Sequence, residues 1–208
     1  HANNSLDFQE FMIMPISALS FQNAMQMGSE IFHSLKIILS EMGEPTSVGD
    51  EGGFAPNIAS PEETLSLLCK AIENAGYRVE DDIVFALDVA ATEFHKDGFY
   101  NLTNINNPIN SDEMIDYLET LINKFPIFSI EDPLDEDDWD GWTKLNSNIG
   151  NKIQIVGDDL FVTNSKRLER GIEQDSANSI LIKVNQIGTL SETFNSIDIA
   201  RKNNYSYI

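Results

Sequence analysis

Ile127-Phe-Ser-Ile-Glu131-Asp-Pro-Leu-Asp135 opens as a short run of β-branched and aromatic residues and ends in carboxylates. A run this short and apolar reads as a buried strand. A carboxylate at its end carries a large desolvation cost unless something cationic meets it there. Three further runs share the pattern: Ile83-Val-Phe-Ala-Leu-Asp88, Ile153-Gln-Ile-Val-Gly-Asp158 and Ser179-Ile-Leu-Ile-Lys183. Each interval between their ends has room for one crossover helix and its loops, so parallel neighbouring strands are expected, with their C-terminal ends on one face. That face would gather Asp88, Glu131, Asp158 and Lys183.

The composition of the 208 residues, 41% hydrophobic and 23% charged, is ordinary for a soluble globular protein. With 34 acidic against 13 basic residues the net charge is -21. Nucleic-acid backbones and anionic membranes are poor partners for such a chain, and divalent cations are better ones. The single Cys69, among Leu67, Leu68 and Ile72, cannot form an internal disulfide and reads as a small core residue, which fits a cytoplasmic protein. No apolar run is long enough to span a membrane. No signal peptide is seen, and the chain opens on His1 without an initiator methionine, so its own N-terminus is expected to lie further upstream.

Phe8 to Pro15 reads as a strand whose polar pair, Gln9 and Glu10, would be awkward in a simple core. From Ser20, the spacing of Phe21, Met25, Gly28, Phe32, Leu35 and Leu39 predicts one buried helical face, with His33 off the stripe and exposed. Gly43 to Asn57 is a glycine- and proline-punctuated loop of functional length. Ser60-Pro-Glu-Glu63 caps the next helix, whose buried face is Leu65, Leu68, Cys69 and Ile72 and which Gly76 ends. His95 reads as a surface residue in a turn-rich stretch. Ser111-Asp-Glu caps a helix that Pro126 follows, and the helix after the Thr189-Leu-Ser-Glu192 capping box is lined by Leu190, Phe194 and Ile197. The acidic run Asp132 to Asp140 lacks the glycine and ligand alternation of a calcium loop, so a solvated helix N-terminus is expected.

Six candidate strands, mostly alternating with helices, point to an α/β fold, either a β/α barrel or an open sheet. A closed barrel needs eight strands and about 250 residues, so the chain reads as part of a barrel. Three carboxylates from neighbouring strand ends offer hard oxygen ligands suited to Mg²⁺, whereas zinc would want histidine or cysteine, and none is close. Burial of Lys183 beside bound cations would lower its pKa and let it act as a base; the alternative is a lysine paired to one of these carboxylates.

Several stretches, in order along essentially the whole chain, closely resemble the enolases. They are Gln9-Glu-Phe-Met-Ile, Phe32-His-Ser-Leu-Lys36, Val48-Gly-Asp-Glu-Gly-Gly-Phe-Ala-Pro56, Leu87-Asp-Val-Ala-Ala-Thr-Glu-Phe94, Ser129-Ile-Glu-Asp-Pro, Val156-Gly-Asp-Asp-Leu-Phe-Val-Thr-Asn164 and Leu181-Ile-Lys-Val-Asn-Gln-Ile-Gly-Thr-Leu190. The style looks bacterial, although Pro133 stands where bacterial enolases often have glycine. The resemblance implies a partial TIM-like barrel, with residues 1–208 forming part of the C-terminal catalytic domain, without its end or the α+β domain that precedes it in the family. It implies Mg²⁺ ligands Asp88, Glu131 and Asp158, a base Lys183, an acid Glu51, and substrate contacts from His1, Gln9 and Glu10. Glu51 should then be near a neutral acid when substrate is bound, with crowding by Glu10 and other carboxylates raising its pKa. The implied reaction is the reversible dehydration of 2-phosphoglycerate to phosphoenolpyruvate in glycolysis and gluconeogenesis, catalysed by a homodimer or higher oligomer. A lysine or histidine base beside Mg²⁺ is the arrangement already known for the enolase superfamily. Other superfamily acid dehydratases are a competing expectation, against which the Gly-Asp-Glu-Gly-Gly loop argues. A non-catalytic scaffold role is the other, and the 208 residues alone are expected to be inactive.

Overall fold

A computed structural model describes residues 6–49 and 51–208, and the expectation for His1 lies outside them. Strand β2 (Ile83–Asp88) is buried on both faces. It is flanked on one side by β1 (Glu10–Pro15), which runs antiparallel to it. On the other side come β5 (Ile127–Glu131), β6 (Gln154–Gly157), β7 (Ser179–Ile180) and β8 (Ser206–Tyr207), each parallel to the last. The order β1-β2-β5-β6-β7-β8 makes one six-stranded sheet that does not close, as expected of part of a barrel. A small hairpin, β3 (His95–Lys96) with β4 (Phe99–Tyr100), was not legible as strand; it follows a short helical turn at Ala91–Phe94.

The helices are α1 (Phe21–Met42), α2 (Pro61–Asn74), α3 (Ser111–Lys124), α4 (Trp139–Ile149), α5 (Ser165–Gln174), α6 (Val184–Ile187) and α7 (Leu190–Lys202). Their starts follow the capping signals closely. Ser60 accepts from the Glu63 N–H with Pro61 in the first turn, and Thr189 accepts from Glu192. For α3 the cap is Asn110 rather than Ser111: its side chain accepts from the Glu113 N–H while Glu113 accepts from the Asn110 N–H, so both backbone donors are satisfied.

One layer of the core forms where these helices meet the sheet. Ile83, Phe85 and Leu87 of β2, Ile130 of β5 and Ile155 of β6 are fully buried together with Leu118, Leu121, Trp142, Leu145 and Leu168 of the helices. Gly157 lets the ring of Phe161 approach so closely that a Cβ would fall 2.6 Å from it.

Two helical faces depart from their expected burial. On α1 the buried residues are Met27, Ile31, Ile38 and Leu39, while Phe21 is 82% exposed and Met25 is also exposed. The stripe picked out by spacing therefore begins on the open side of the helix and reaches the core only near its C-terminal end. On α7, Leu190 and Phe194 are exposed, and the helix instead packs Thr193, Ser196 and Ala200 inward. Small residues allow α7 to lie close to α5 and the turn before it, where Ser196 Oγ donates to the Thr163 carbonyl at 2.7 Å. No helix among the described residues is long and apolar enough to cross a membrane.

Candidate metal centre and proton-transfer groups

Parallel pairing brings the strand ends into register. Asp88 stands opposite Glu131 across the β2–β5 ladder. The Asp132 N–H donates to the Val156 carbonyl, which places Asp158 beside the same pair. Carboxylate oxygens of Glu131, Asp132 and Asp158 lie within 4.8 Å of one another. Burial raises the pKa of Asp88 to about 7, with the charges of Asp158 and Asp159 adding to it against a hydrogen bond from the Ala90 N–H. Burial likewise pushes Glu131 up to about 8, aided by Asp88, Asp132 and Asp158. Among the described residues, several carboxylates crowded on one face with a single lysine form a set of hard oxygen donors short of positive charge. The donor set therefore fits a divalent cation such as Mg²⁺.

Asp132 corrects the expectation that the run from 132 to 140 is a solvated helix terminus. It is almost fully buried, in a left-handed conformation at φ 41°. Its Oδ1 accepts from the Asp158 N–H at 3.0 Å and its Oδ2 from the Asp159 N–H at 2.8 Å. Burial pushes its pKa up to about 8 against these two bonds. Downstream, Asp138 does cap α4, accepting from the Gly141 N–H, but it also accepts from Ser111 Oγ and Tyr100 Oη. Asp135 pairs with His95 Nδ1 at 3.0 Å, so His95 is half-buried against Tyr100 rather than a surface residue.

Lys183 arrives on the same face just beyond β7, its Nζ 2.5 Å from Asp158 Oδ2. Its side chain is 45% exposed, so the expected burial is not there. The fall in pKa was expected beside bound cations; in the cation-free protein the direction is upward. Such burial as it has pulls downward, but the hydrogen bond to Asp158 and the charges of Asp158, Glu131 and Asp88 prevail and hold it above the usual lysine value. The paired lysine, the alternative reading from sequence, is what forms. The other oxygen of Asp158 accepts from Gln186 Nε2 at 2.6 Å.

Across the face, the antiparallel register of β1 sets Glu10 opposite Asp88. Glu10 hydrogen-bonds to Glu51, which stands exposed on the loop before Gly52 and Gly53. The direction of the proton is opposite to the one expected. Glu10 is pushed up to about 7, first by the bond to Glu51, then by burial and by the charges of Glu51 and Asp88. Glu51, accepting that bond, is held below its usual value. Gln9 precedes β1, half-buried beside Glu10 in a cleft of about 450 Å³ between β1, α1 and the glycine loop.

The geometry thus places Asp88, Glu131, Asp158 and Lys183 on one strand-end face, with Glu10 and Glu51 facing them. It adds Asp132, Gln186 and Thr163, which residue-by-residue reading had not singled out. Asp132 was hidden in an acidic run with many exposed members, and the other two lay in stretches notable only for their resemblance. A family model described as the enolase C-terminal TIM barrel domain matches residues 1–208. With that match across an incomplete barrel whose strand ends carry this set of carboxylates and a lysine, the chain belongs to the enolase C-terminal TIM barrel domain family.

Proposed function

We propose that the protein is a lyase acting on 2-phosphoglycerate, with Lys183 as the base that takes the proton at C2 and Glu51 as the acid that protonates the departing hydroxyl. The observation that carries the reading is the facing of two proton-transfer groups across one acidic floor. Lys183 is tied to Asp158 on one side, and the Glu10–Glu51 pair, whose protonation responds to the charge of Lys183, stands on the other. A base and an acid on opposite sides of a carbon chain can remove a proton and a hydroxyl from adjacent carbons.

Asp88, Glu131 and Asp158 would hold a divalent cation, with Asp132 left out because both its oxygens already accept backbone N–H groups. Bound there, Mg²⁺ supplies the positive charge that makes a proton beside a carboxylate acidic enough to remove. Asp158 would meet a cation with the oxygen that now accepts from Lys183, and the amine, without that bond, would lose the partner that keeps it protonated. Gln186 continues to hold the other Asp158 oxygen in place. On the acid side, Glu10 holds the proton in the free protein and passes it to Glu51 through their hydrogen bond; Glu51 gives it to the departing hydroxyl, which leaves as water, and both carboxylates are then charged for the return direction. Gln9, at the mouth of the same cleft, would contact substrate. Homo-oligomeric assembly and a place in glycolysis belong to this reading.

The full-length protein tests it. Lys183→Ala should abolish exchange of the C2 proton of 2-phosphoglycerate with solvent, whereas Glu51→Gln should retain that exchange and lose phosphoenolpyruvate formation. Loss of exchange in both variants would show that the two roles are not divided this way. Turnover of an unphosphorylated acid sugar in place of 2-phosphoglycerate would assign the protein to another dehydratase.

A further inference from the structure

Thr163 is fully buried and has φ 55°, directly after Val162 at φ 44°. Two successive β-branched residues in the left-handed region are uncommon, because the branched Cβ crowds the backbone there. Such conformations persist only where surrounding contacts impose them. The contacts around Thr163 are specific. Its hydroxyl donates to Gln186 Oε1 at 2.7 Å and accepts the Lys183 N–H at 2.9 Å. Its carbonyl accepts from Ser196 Oγ, which fastens the turn to α7. With its Oε1 held, the Gln186 amide can present only its NH₂ to Asp158, which it reaches at 2.6 Å.

We propose that Thr163 is a positioning residue whose one hydroxyl sets the backbone that carries Lys183 and, through Gln186, the carboxylate of Asp158, and so fixes base and cation ligand relative to each other. The proposal rests on the roles given above to Lys183 and Asp158. A hydroxyl that bonds the Lys183 backbone directly and reaches Asp158 through Gln186 holds their spacing when Lys183 and Asp158 separate, at the moment when their own salt bridge no longer does. Serine would keep that hydroxyl; valine would keep the shape and the branched Cβ while removing it.

The test compares Thr163→Val and Thr163→Ser in the full-length protein by three measurements. In the metal-free protein, amide hydrogen exchange at Lys183 should quicken in the valine variant and remain protected in the serine variant. Mg²⁺ affinity by calorimetry should fall about 10–100-fold with valine, the range typical when a group supporting a metal ligand is lost, and be recovered by serine. Exchange of the substrate C2 proton should fall by about 10²-fold with valine, as for a reacting group displaced by an ångström. If Thr163→Val fails to fold, Gln186→Met carries the test: it should weaken Mg²⁺ binding while leaving the Lys183 amide protected. Wild-type Mg²⁺ affinity in Thr163→Val, or in Gln186→Met where the valine variant does not fold, or equal losses in the serine and valine variants, would overturn the proposal. Should the unmodified protein show no C2 exchange at all, the 2-phosphoglycerate reading fails, and the amide and Mg²⁺ measurements still decide the role of Thr163.

Discussion

At the ends of β2, β5 and β6, Asp88, Asp132 and Asp158 are almost fully buried, and each accepts from a backbone N–H, a lysine or a glutamine that fixes its direction. Across the same face, Glu51 stands exposed on a glycine-punctuated loop and bonds to the half-buried Glu10. The first region is held by the sheet, since each carboxylate ends a strand whose register is set by burial on the helix side. The second shares a proton between two carboxylates. A cation site gains from the rigidity of the first, because its ligands must converge before the ion arrives. A group that delivers a proton to a departing hydroxyl gains from the freedom of the second.

Substitution at the rigid side should have the largest effect. Glu131→Gln in the full-length protein is expected to weaken Mg²⁺ binding by more than about tenfold, a loss of about 1.4 kcal/mol or more. Above about pH 8, where Glu131 is charged, the same change removes one of the mutually repelling buried acids, so the metal-free melting temperature should rise there. Calorimetry and thermal melts read the two effects, and a fall in both would show Glu131 to be a structural group instead.

Next in size is a pH dependence confined to the metal-free protein. Asp88 at about 7 and Glu131 at about 8 lie above their unfolded values of 3.8 and 4.5. Between those limits the folded chain binds more protons than the unfolded one, so stability falls as pH rises. It is greatest below the unfolded values and is lost as pH passes through the folded ones. At roughly 2–4 °C per kcal/mol for a domain of this size, melting temperature should drop by several degrees over that window. Saturating Mg²⁺ should flatten the curve. A melting temperature that climbs through the window in the metal-free protein would reverse the assignment.

The same contrast governs what could be read from sequence. Strand ends at Asp88, Glu131 and Asp158 were legible because short β-branched runs have few alternatives, and the crossover spacing set their neighbours. The pairing of Lys183 was left open because proximity to Asp158 depends on the turn at Val162 and Thr163, whose left-handed backbone no periodicity reports. Burial of Asp132 was missed for a related reason. Its neighbours Asp137 and Asp140 are exposed, and only the third dimension separates them. Likewise the apolar stripe of α1 has helical spacing throughout, but spacing fixes which residues share a face and not which face is covered.

The smallest effect belongs to the mobile-proton side. Glu51→Gln takes away the carboxylate whose hydrogen bond, and then whose charge, raises Glu10, so the Glu10 carboxyl should titrate closer to its ordinary value. Stability should change by no more than about 0.5 kcal/mol, as for an exposed position. Carboxyl-carbon NMR of the two glutamates would follow this directly, and an unmoved Glu10 would mean that burial alone, without the shared bond, sets its protonation.

Proton release on Mg²⁺ binding tests most directly the claim that Asp88, Glu131 and Asp158 form the cation site. Calorimetric titration of the metal-free, full-length protein in buffers of different ionisation enthalpy reads the number of protons displaced. Near neutral pH, Asp88 and Glu131 carry protons that a bound cation must expel, so release is expected there and should vanish well above pH 8, and Glu131→Gln should diminish it. Mg²⁺ uptake with no proton release near neutral pH, or with release unchanged by Glu131→Gln, would place the cation elsewhere.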